Sequence, residues 1–551
     1  NKTFDFAKSQ MGSAQEIALR LTPLKDVYYT HDTTFDFNPK GHRETNYVLL
    51  GIAFLILFIA GINFTNLTTS LIPLRLKTIN THRVLGCSIY KLRAISLIES
   101  IVICLISYIL ALFIVNDLSY TPIANWVDAD IRLSQYKGLI LLTALIAILT
   151  GCLAGLYPAI RSTSYAPALV LKGSFGLSPK GKKVRVALIG FQYTVSIVLI
   201  IVTLFMGLQN HFMTSSEQLG FNKDQVAIVN LTPEIYAKHK PQYIQKLKDY
   251  PGIEDVAFSV YELSKEDDMI DLEYARHEDK DVFFKVFYAS ENFLSVMDIQ
   301  VEEGRDFTRE DLNKAQSDYI INPAAERDFH LHPGDRFNDR TVLGVSKDFR
   351  FNSCRIASSP FVFALNNDIP NPKLVSYIRF NSKTNLQEAV AHVRETLKEI
   401  DPTFPFEISF YNTILNNLYQ KEQTLGKLIS LFGIMAILIS IVGVFGLVLF
   451  ETQYRRKEIG IRKINGATTG QILLMFNKTY IRIVSVCFII SIPIAWMGTQ
   501  QWLENFAYKT PLHLWVFIVA FLIILSVTIG TVTFRNWQAA NENPVNSVKS
   551  E

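Results

Sequence analysis

The residues best placed to do chemistry in this 551-residue chain lie in a short basic segment at 455–468, which holds Arg455, Lys457, Glu458, Gly460, Arg462, Lys463 and Gly466. A short amphipathic helix lying along a membrane, with Ile459 and Ile464 on one side and Lys457, Glu458, Arg462 and Lys463 on the other, is suited to seat in a groove of a partner protein. Glu458 and Arg462 stand at i, i+4 and can stiffen that helix by pairing, while Gly460 lets a backbone approach closely. The competing reading is anchoring by positive charge and contact with membrane lipid. Residues 176–183 read G-L-S-P-K-G-K-K, one residue short of a phosphate-binding loop. Lys183 stands where a Ser or Thr must hold magnesium, and an apolar run and a Pro-containing basic linker replace the required strand and helix. The chain is therefore not expected to hydrolyse nucleotide by itself. His330 and His332 could point two imidazoles to one side of a strand, but no third His, Cys or acid at ligand spacing joins them, and Pro333-Gly334 favours a surface turn. The acidic stretches around Glu266 and Glu278 lack the order of a calcium loop. No catalytic residue, metal ligand or cofactor is predicted.

The elements that must position these groups are membrane spans. Only 19% of residues are charged and 49% are hydrophobic, with a mean hydropathy of +0.20, where a soluble protein carries roughly 25% charge. A span needs about 20 apolar residues, and seven such runs occur, at about 46–66, 94–115, 138–159, 184–208, 428–450, 481–499 and 514–534. The net charge of +4 gives no reason to expect nucleic acid. Of five cysteines, Cys104, Cys152 and Cys487 lie in apolar runs, Cys87 sits in a basic loop and Cys354 stands alone in the polar region, so no disulfide pair is expected. Arg75, Lys77, Arg83, Lys91 and Arg93 after the first span, and Arg161 to Arg185 after the third, place those loops in the cytoplasm by the positive-inside rule. Residues 451–480 then return inside, the C-terminus is cytoplasmic, and 209–423 form one extracytoplasmic region. That region reads as mixed α/β, with strands at 225–231, 282–287 and 342–345, a helix at 385–400, and turns at Pro251-Gly252, Pro333-Gly334 and Pro370-Asn-Pro372.

A shift of 380 residues lays Arg75, Lys77, Ile79, Arg83, Gly86 and Ser88 on Arg455, Lys457, Ile459, Lys463, Gly466 and Thr468. A second echo, Pro167 to Lys172 against Pro544 to Lys549, follows the last span of each set. The chain therefore reads as a pseudo-repeat. Residues 1–45 are the remnant of a first extracytoplasmic domain, and 46–183 a first membrane unit with spans 46–66, 94–115 and 138–159. Residues 184–208 form a transmembrane stalk helix, 209–427 the extracytoplasmic domain, and 428–551 a second membrane unit with a cytoplasmic tail. The offset implies a further span and roughly 170 ectodomain residues upstream. Gly151 and Gly155 form a GxxxG in the third span, and Gly443 and Gly446 cluster in the fifth, where small residues let helices pack closely. Few ionisable groups lie mid-span, which disfavours an ion-coupled carrier.

Arg456-Lys-Glu458-Ile-Gly460-Ile-Arg462-Lys463 followed by Gly466-Ala-Thr468 resembles the cytoplasmic signature of FtsX-like, MacB-type ABC transporter permeases, in the tandem-repeat form of Bacteroides-type bacteria. Phe191-Gln-Tyr193, Leu219-Gly-Phe221-Asn-Lys-Asp224, Glu303-Gly-Arg305-Asp-Phe307, Gly344-Val-Ser-Lys-Asp348-Phe349 and Asn63-Phe-Thr-Asn66 are similar to further landmarks of that family. The resemblance implies an α-helical integral membrane protein of the bacterial inner membrane with a MacB-like periplasmic α/β domain. It also implies that a separate cytoplasmic ABC ATPase binds the two coupling segments and that its motion reaches the periplasmic domain, for export or extracytoplasmic handling of a substrate. A periplasmic adaptor or outer-membrane component would be a further partner. The alternative within the family is a non-transport signalling or scaffold role controlling a periplasmic enzyme or sensor kinase. The first coupling segment departs from the signature, with Thr78, Asn80 and His82 in place of Glu458, Gly460 and Arg462.

Overall fold

The computed structural model describes residues 23–29, 43–121, 124, 132–164, 179–215, 219–264, 271–278, 280–314, 316–350, 353–365 and 374–541. Pro167 to Ser178, Glu266 to Asp268, Pro370 to Pro372 and Pro544 to Lys549 lie outside them. The chain divides into two compact units, Asn1–Leu57 and Phe58–Glu551. In the first, a short helix α1 (Leu24–Val27) offers Asp26 to Arg43, whose guanidinium also lies 4.8 Å over the Tyr29 ring.

Long helices follow: α2 (Arg43–Ser70), the short α3 (Ile72–Val84), α4 (Ile89–Leu118), α5 (Lys137–Thr163) and α6 (Pro179–Thr214). A sheet domain comes next, with β1 (Val226–Leu231), α7 (Lys240–Lys248), β2 (Ile253–Ser259), β3 (Asp271–His277), β4 (Lys280–Ala289), α8 (Phe293–Met297), β5 (Val301–Gly304), β6 (Tyr319–Ile321), α9 (Pro323–Phe329), β7 (Arg336–Phe337), β8 (Arg340–Ser346), β9 (Phe361–Leu365), β10 (Leu374–Phe380), α10 (Leu386–Ile400), β11 (Ile408–Phe410) and α11 (Tyr411–Leu418). The chain then returns through α12 (Gln420–Tyr454), the short α13 (Arg456–Ile464), α14 (Thr469–Leu503) and α15 (Leu514–Ala540). Seven of these helices, α2, α4, α5, α6, α12, α14 and α15, are long and apolar enough to cross a membrane. They match the seven expected runs. Helix is forced there because lipid offers no partner to a free backbone N–H or C=O.

In the bundle that α6 forms with α12, α14 and α15, α6 is the central strut. Tyr193, Ile197, Ile201 and Phe205 on α6 share one buried cluster with Val444 and Val448 of α12, Tyr480 and Val484 of α14, and Val516, Ala520 and Ile524 of α15. Polar contacts fix the register inside it: Ser196 Oγ lies 2.9 Å from Ser440 Oγ, and Thr528 Oγ1 3.0 Å from the Tyr193 hydroxyl.

Among the described residues, eleven strands form one sheet in the order β11-β1-β10-β2-β4-β9-β6-β8-β5, with β3 added on β4 and β7 on β8. The strands expected at 225–231, 282–287 and 342–345 appear as β1, β4 and β8, and the helix at 385–400 as α10. Side chains alternate between two covered faces, the period-2 pattern of a strand. Val226, Ile228, Phe287, Phe361, Phe363, Val375 and Tyr377 enter one core together with Met213 of α6, Tyr419 and Phe506. Their neighbours Ala227, Val229 and Ile378 face the core closed by α7 and α10, and Val286, Val362 and Ala364 face the one closed by α9. One face of the sheet thus rests on elements that continue into the membrane helices.

At the β5 end, Asp311 is 2% exposed at its side chain and accepts from Arg305 Nη1 and Nη2 at 2.7 and 2.8 Å, from the Thr308 amide at 2.9 Å and hydroxyl at 2.8 Å, and pairs with Lys314 at 2.9 Å. Arg305 above all, with Lys314 and Thr308, holds the Asp311 carboxyl far below the usual carboxylate range. A group depressed in the fold relative to its unfolded value near 3.8 adds stability above that value and loses it as pH falls toward the folded pKa. Because Arg305 is half exposed, Asp311→Asn is expected to lower unfolding stability at neutral pH by about 2 kcal/mol. It should also flatten the loss of stability below about pH 4, read by thermal unfolding of the purified chain across that range.

Candidate functional site

Two short turns at the ends of α2 and α12 remote from the sheet domain, each with a brief helix, repeat one geometry. In the second, α13 ends at Asn465, Gly466 takes φ +87°, and Thr468 caps α14 by accepting from the Gln471 amide at 3.3 Å while its own amide donates to Gln471 Oε1 at 3.0 Å. In the first, α3 ends at Leu85, Gly86 takes φ +90°, and Ser88 caps α4 by accepting from the Lys91 amide at 3.3 Å. The chain-reversing bonds correspond one for one: Leu85, Gly86 and Cys87 donate to the carbonyls of Thr81, Arg83 and His82, and Asn465, Gly466 and Ala467 to those of Ile461, Lys463 and Arg462. A side chain at Gly86 or Gly466 would be strained in that left-handed conformation.

Around the second turn Arg462 Nη2 pairs with Glu458 at 2.8 Å and Arg462 Nη1 reaches Met475 Sδ at 3.0 Å, with both charged side chains about half exposed. Arg455 pairs with Glu451 at 3.1 Å, lies 3.9 Å from Glu458 and stands over the Phe476 ring. Gly460 is buried, Lys463 is partly buried, and the side chain of Lys457 lies outside the described residues. Arg462, Asn465, Gly466, Ala467, Gln471 and Ile472 line an open cavity of about 540 Å³. One expectation is corrected: Ile459 is 4% exposed, whereas Ile464 is 65% exposed. Five residues apart on a helix of 3.6 per turn, they stand about 140° apart and cannot share a face.

The first turn has the shape with less charge. Arg75 pairs with Glu99 at 2.8 Å on the surface, and Arg83 donates to the Thr163 carbonyl at 3.3 Å at the end of α5. The side chain of Lys77 lies outside the described residues. Asn80 is buried where Gly460 stands in the other repeat and donates to the Leu76 carbonyl at 2.9 Å. Thr78 and His82 are exposed.

At the other end of the long helices, two of the sequence landmarks and several residues that the sequence did not single out make a junction. Leu219-Gly-Phe221 and Asp348-Phe349 press together: a Cβ on Gly220, which takes φ +75°, would lie 2.9 Å from Phe349 Cα, and the Arg350 amide donates to the Leu219 carbonyl at 2.8 Å. Tyr508, from the loop between α14 and α15, is held by four partners. Its amide donates to the Cys354 carbonyl at 3.1 Å, its hydroxyl accepts from the Ser358 amide at 3.2 Å, its carbonyl accepts from Gln209 of α6 at 3.0 Å, and Arg350 lies 4.1 Å over its ring. Arg355 pairs with Glu422, at the start of α12, at 2.7 Å and lies over the Phe506 ring. The Tyr419 hydroxyl accepts from the Cys354 amide at 3.2 Å, and burial pushes the Cys354 thiol up. The Leu219 and Gly344 landmarks belong to this junction, but nothing in their spacing foretells Tyr508, Arg355 or Glu422.

The glycines of the spans meet specific neighbours. A Cβ on Gly151 would lie 3.0 Å from Ile101 Cα, and one on Gly155 2.6 Å from Ser100 Cβ, both on α4. Gly443 faces Asn63 and Gly446 faces Leu67. Residues 179–183 of the phosphate-loop lookalike open α6 as helix. The expectation that no acid joins His332 is corrected: the fold brings Glu326 of α9 and Glu303 of β5 beside it, the three ligand atoms lying within 4.8 Å of one another. The imidazole and Glu303 are exposed to water, and this set carries no metal assignment.

The family model for the FtsX-like permease C-terminal domain matches residues 50–167 and 430–544. The macrolide export ATP-binding/permease protein MacB of Aggregatibacter actinomycetemcomitans is 25% identical over 212 residues, 36% of this chain and 32% of its own length. The protein of the same description from Neisseria gonorrhoeae is 25% identical over 223 residues, 38% and 34%. The chain thus spans about a third of the length of these relatives. Among solved structures, the periplasmic region of MacB from Actinobacillus actinomycetemcomitans aligns at 15% identity and a TM-score of 0.27, over 36% of this chain and 94% of that one. The extracellular domain of the ABC-type transporter YknZ aligns at 15% and 0.26, over 33% and 99%. The two permease matches begin 380 residues apart (430 − 50), at equivalent places of the two membrane units, and each of these two stretches is an FtsX-like permease domain.

Proposed function

We propose that this chain is the membrane subunit of an ABC-type complex in the bacterial inner membrane, with its sheet domain in the periplasm and its C-terminus in the cytoplasm. A separate cytoplasmic ATPase docks on the turns around Arg83 and Arg462. Its closure on ATP tilts α6 and α12, and the sheet domain moves in response, so that a substrate is handled on the periplasmic side. A periplasmic adaptor or outer-membrane component would take up that motion. What supports this reading is one helix. Near one end of α12 Glu422 pairs with Arg355 of the sheet domain, and near the other Glu451 pairs with Arg455 beside the coupling turn. At about 1.5 Å per residue the two carboxylates sit some 44 Å apart along one unbroken rod, long enough to cross a hydrocarbon core of about 30 Å.

Charge at the second turn carries most of the docking. Glu458→Ala or Arg462→Ala is expected to weaken ATPase association at least roughly tenfold, about 1.4 kcal/mol. Thr78→Ala and His82→Ala should change it little. Association of the ATPase with the four variants in nanodiscs measures this, and equal losses from both turns would refute the inequality. Transmission is separable from docking: Glu422→Gln, which removes the charge opposite Arg355, should leave ATPase binding unchanged and lower the response of the sheet domain to ATP. Distance measurements between spin labels on β5 and α14 with and without ATP would read that response.

A further inference from the structure

Asn63 and Gly443 are 380 residues apart (443 − 63), as are Asn66 and Gly446 (446 − 66), the offset at which the two permease regions begin. Positions 63 and 443 are therefore the same position of two repeats, and they face each other across α2 and α12. Asn63 Nδ2 donates to the Ile439 carbonyl at 2.5 Å, and a Cβ on Gly443 would lie 2.9 Å from Asn63 Cγ and 3.0 Å from Nδ2. One turn on, Leu67 fills the space over Gly446, with its Cγ 3.1 Å from where a Cβ would stand. Asn63 is only 5% exposed, and its Oδ1, aimed at Gly443, has no hydrogen-bond partner. A buried amide with an unanswered oxygen is expensive in a membrane interior. Yet at both positions the first repeat carries an amide and the second carries no side chain.

We propose that Asn63 and Gly443 form a knob and hole that select the partner of α2: the second membrane unit of the same chain, in preference to the same unit of another copy. Contact between equivalent positions places a local twofold axis between them. Two second units meeting on such an axis would set Gly443 against Gly443 and leave a void the size of an amide, with its lost dispersion contacts. Two first units would set Asn63 against Asn63 in a space that one amide already fills. The mixed pair fills the space once and places Nδ2 on a carbonyl.

The test uses the full chain in nanodiscs. Gly443→Ala is expected to lower the unfolding temperature clearly in the otherwise unaltered chain and by less than half as much in an Asn63→Ala background, because the methyl then occupies the vacated knob. Equal losses in both backgrounds would overturn the proposal, as would failure of the double variant to fold. Oxidation of Asn63→Cys/Gly443→Cys in native membranes supplies the second readout. A cross-link within one chain, running as a monomer and lost with either single variant, is the expected result. A disulfide-linked dimer would show that α2 finds its partner on another copy.

Discussion

Within the hydrocarbon of a bilayer an unpaired backbone amide costs several kcal/mol, so a chain that crosses seven times has to cross as unbroken helix. A helix with every amide paired is also stiff along its axis. The other features of this protein follow from having such rods with both ends pinned. The 35 residues of α12 run from beside the second turn to the sheet domain, and the 36 of α6 reach the core of that domain through Met213. At the sheet end Gln209 of α6 and Glu422 of α12 take partners 299 and 67 residues away in sequence. Arg355, the partner of Glu422, belongs to the sheet domain, and Tyr508, the partner of Gln209, lies in the loop between α14 and α15 that is itself bonded to the sheet domain at Cys354 and Ser358.

The sheet domain is built to receive those rods. A sheet wet on one face would need polar side chains on every second position, but β9 is buried along its whole length and β1 and β10 nearly so. Its two faces are closed differently. Short helices α7, α9 and α10 cover one, whereas the other is covered by the short α8 together with Met213, Tyr419, Tyr411 and Phe506, which come from segments that adjoin membrane helices. The ends of α6 and α12 therefore share one packed aromatic core with the sheet, and such interiors are dense and hardly compressible.

Features with a period were readable from sequence. The apolar runs gave the spans, and the 380-residue echo gave the repeat that the two permease matches reproduce. Within the sheet domain, β-branched runs marked β1 and β8, and helical spacing marked α10. Contacts between distant segments have no period, and these were missed. Gly220 against Phe349, Tyr508 under Arg350, and Glu422 beside Arg355 join residues whose types are ordinary until the fold brings them together. The same blindness hid Glu303 and Glu326 from His332. Ile464 differs for another reason: about 140° round the helix from Ile459, it lies on the open side.

The two turns separate what backbone fixes from what side chains supply. Gly86 and Gly466 both stand at positive φ, Ser88 and Thr468 both cap the next helix, and the three reversing hydrogen bonds match, although Thr78, Asn80 and His82 have replaced Glu458, Gly460 and Arg462. Shape at this place needs only a glycine and a cap, so it survives substitution in the preceding helix, at the buried Asn80 position as well as at the exposed Thr78 and His82. Charge does not survive it. The first turn can thus present the same contour to a binding surface while lacking the Glu458–Arg462 pair, and the interior repeats that division of labour, an amide at Asn63 opposite a bare backbone at Gly443. Once two repeats share one chain, each helix meets a fixed and different neighbour. The symmetry that would oblige equivalent residues to be self-complementary is lifted, and the two halves are free to diverge into complementary surfaces at every point where they meet.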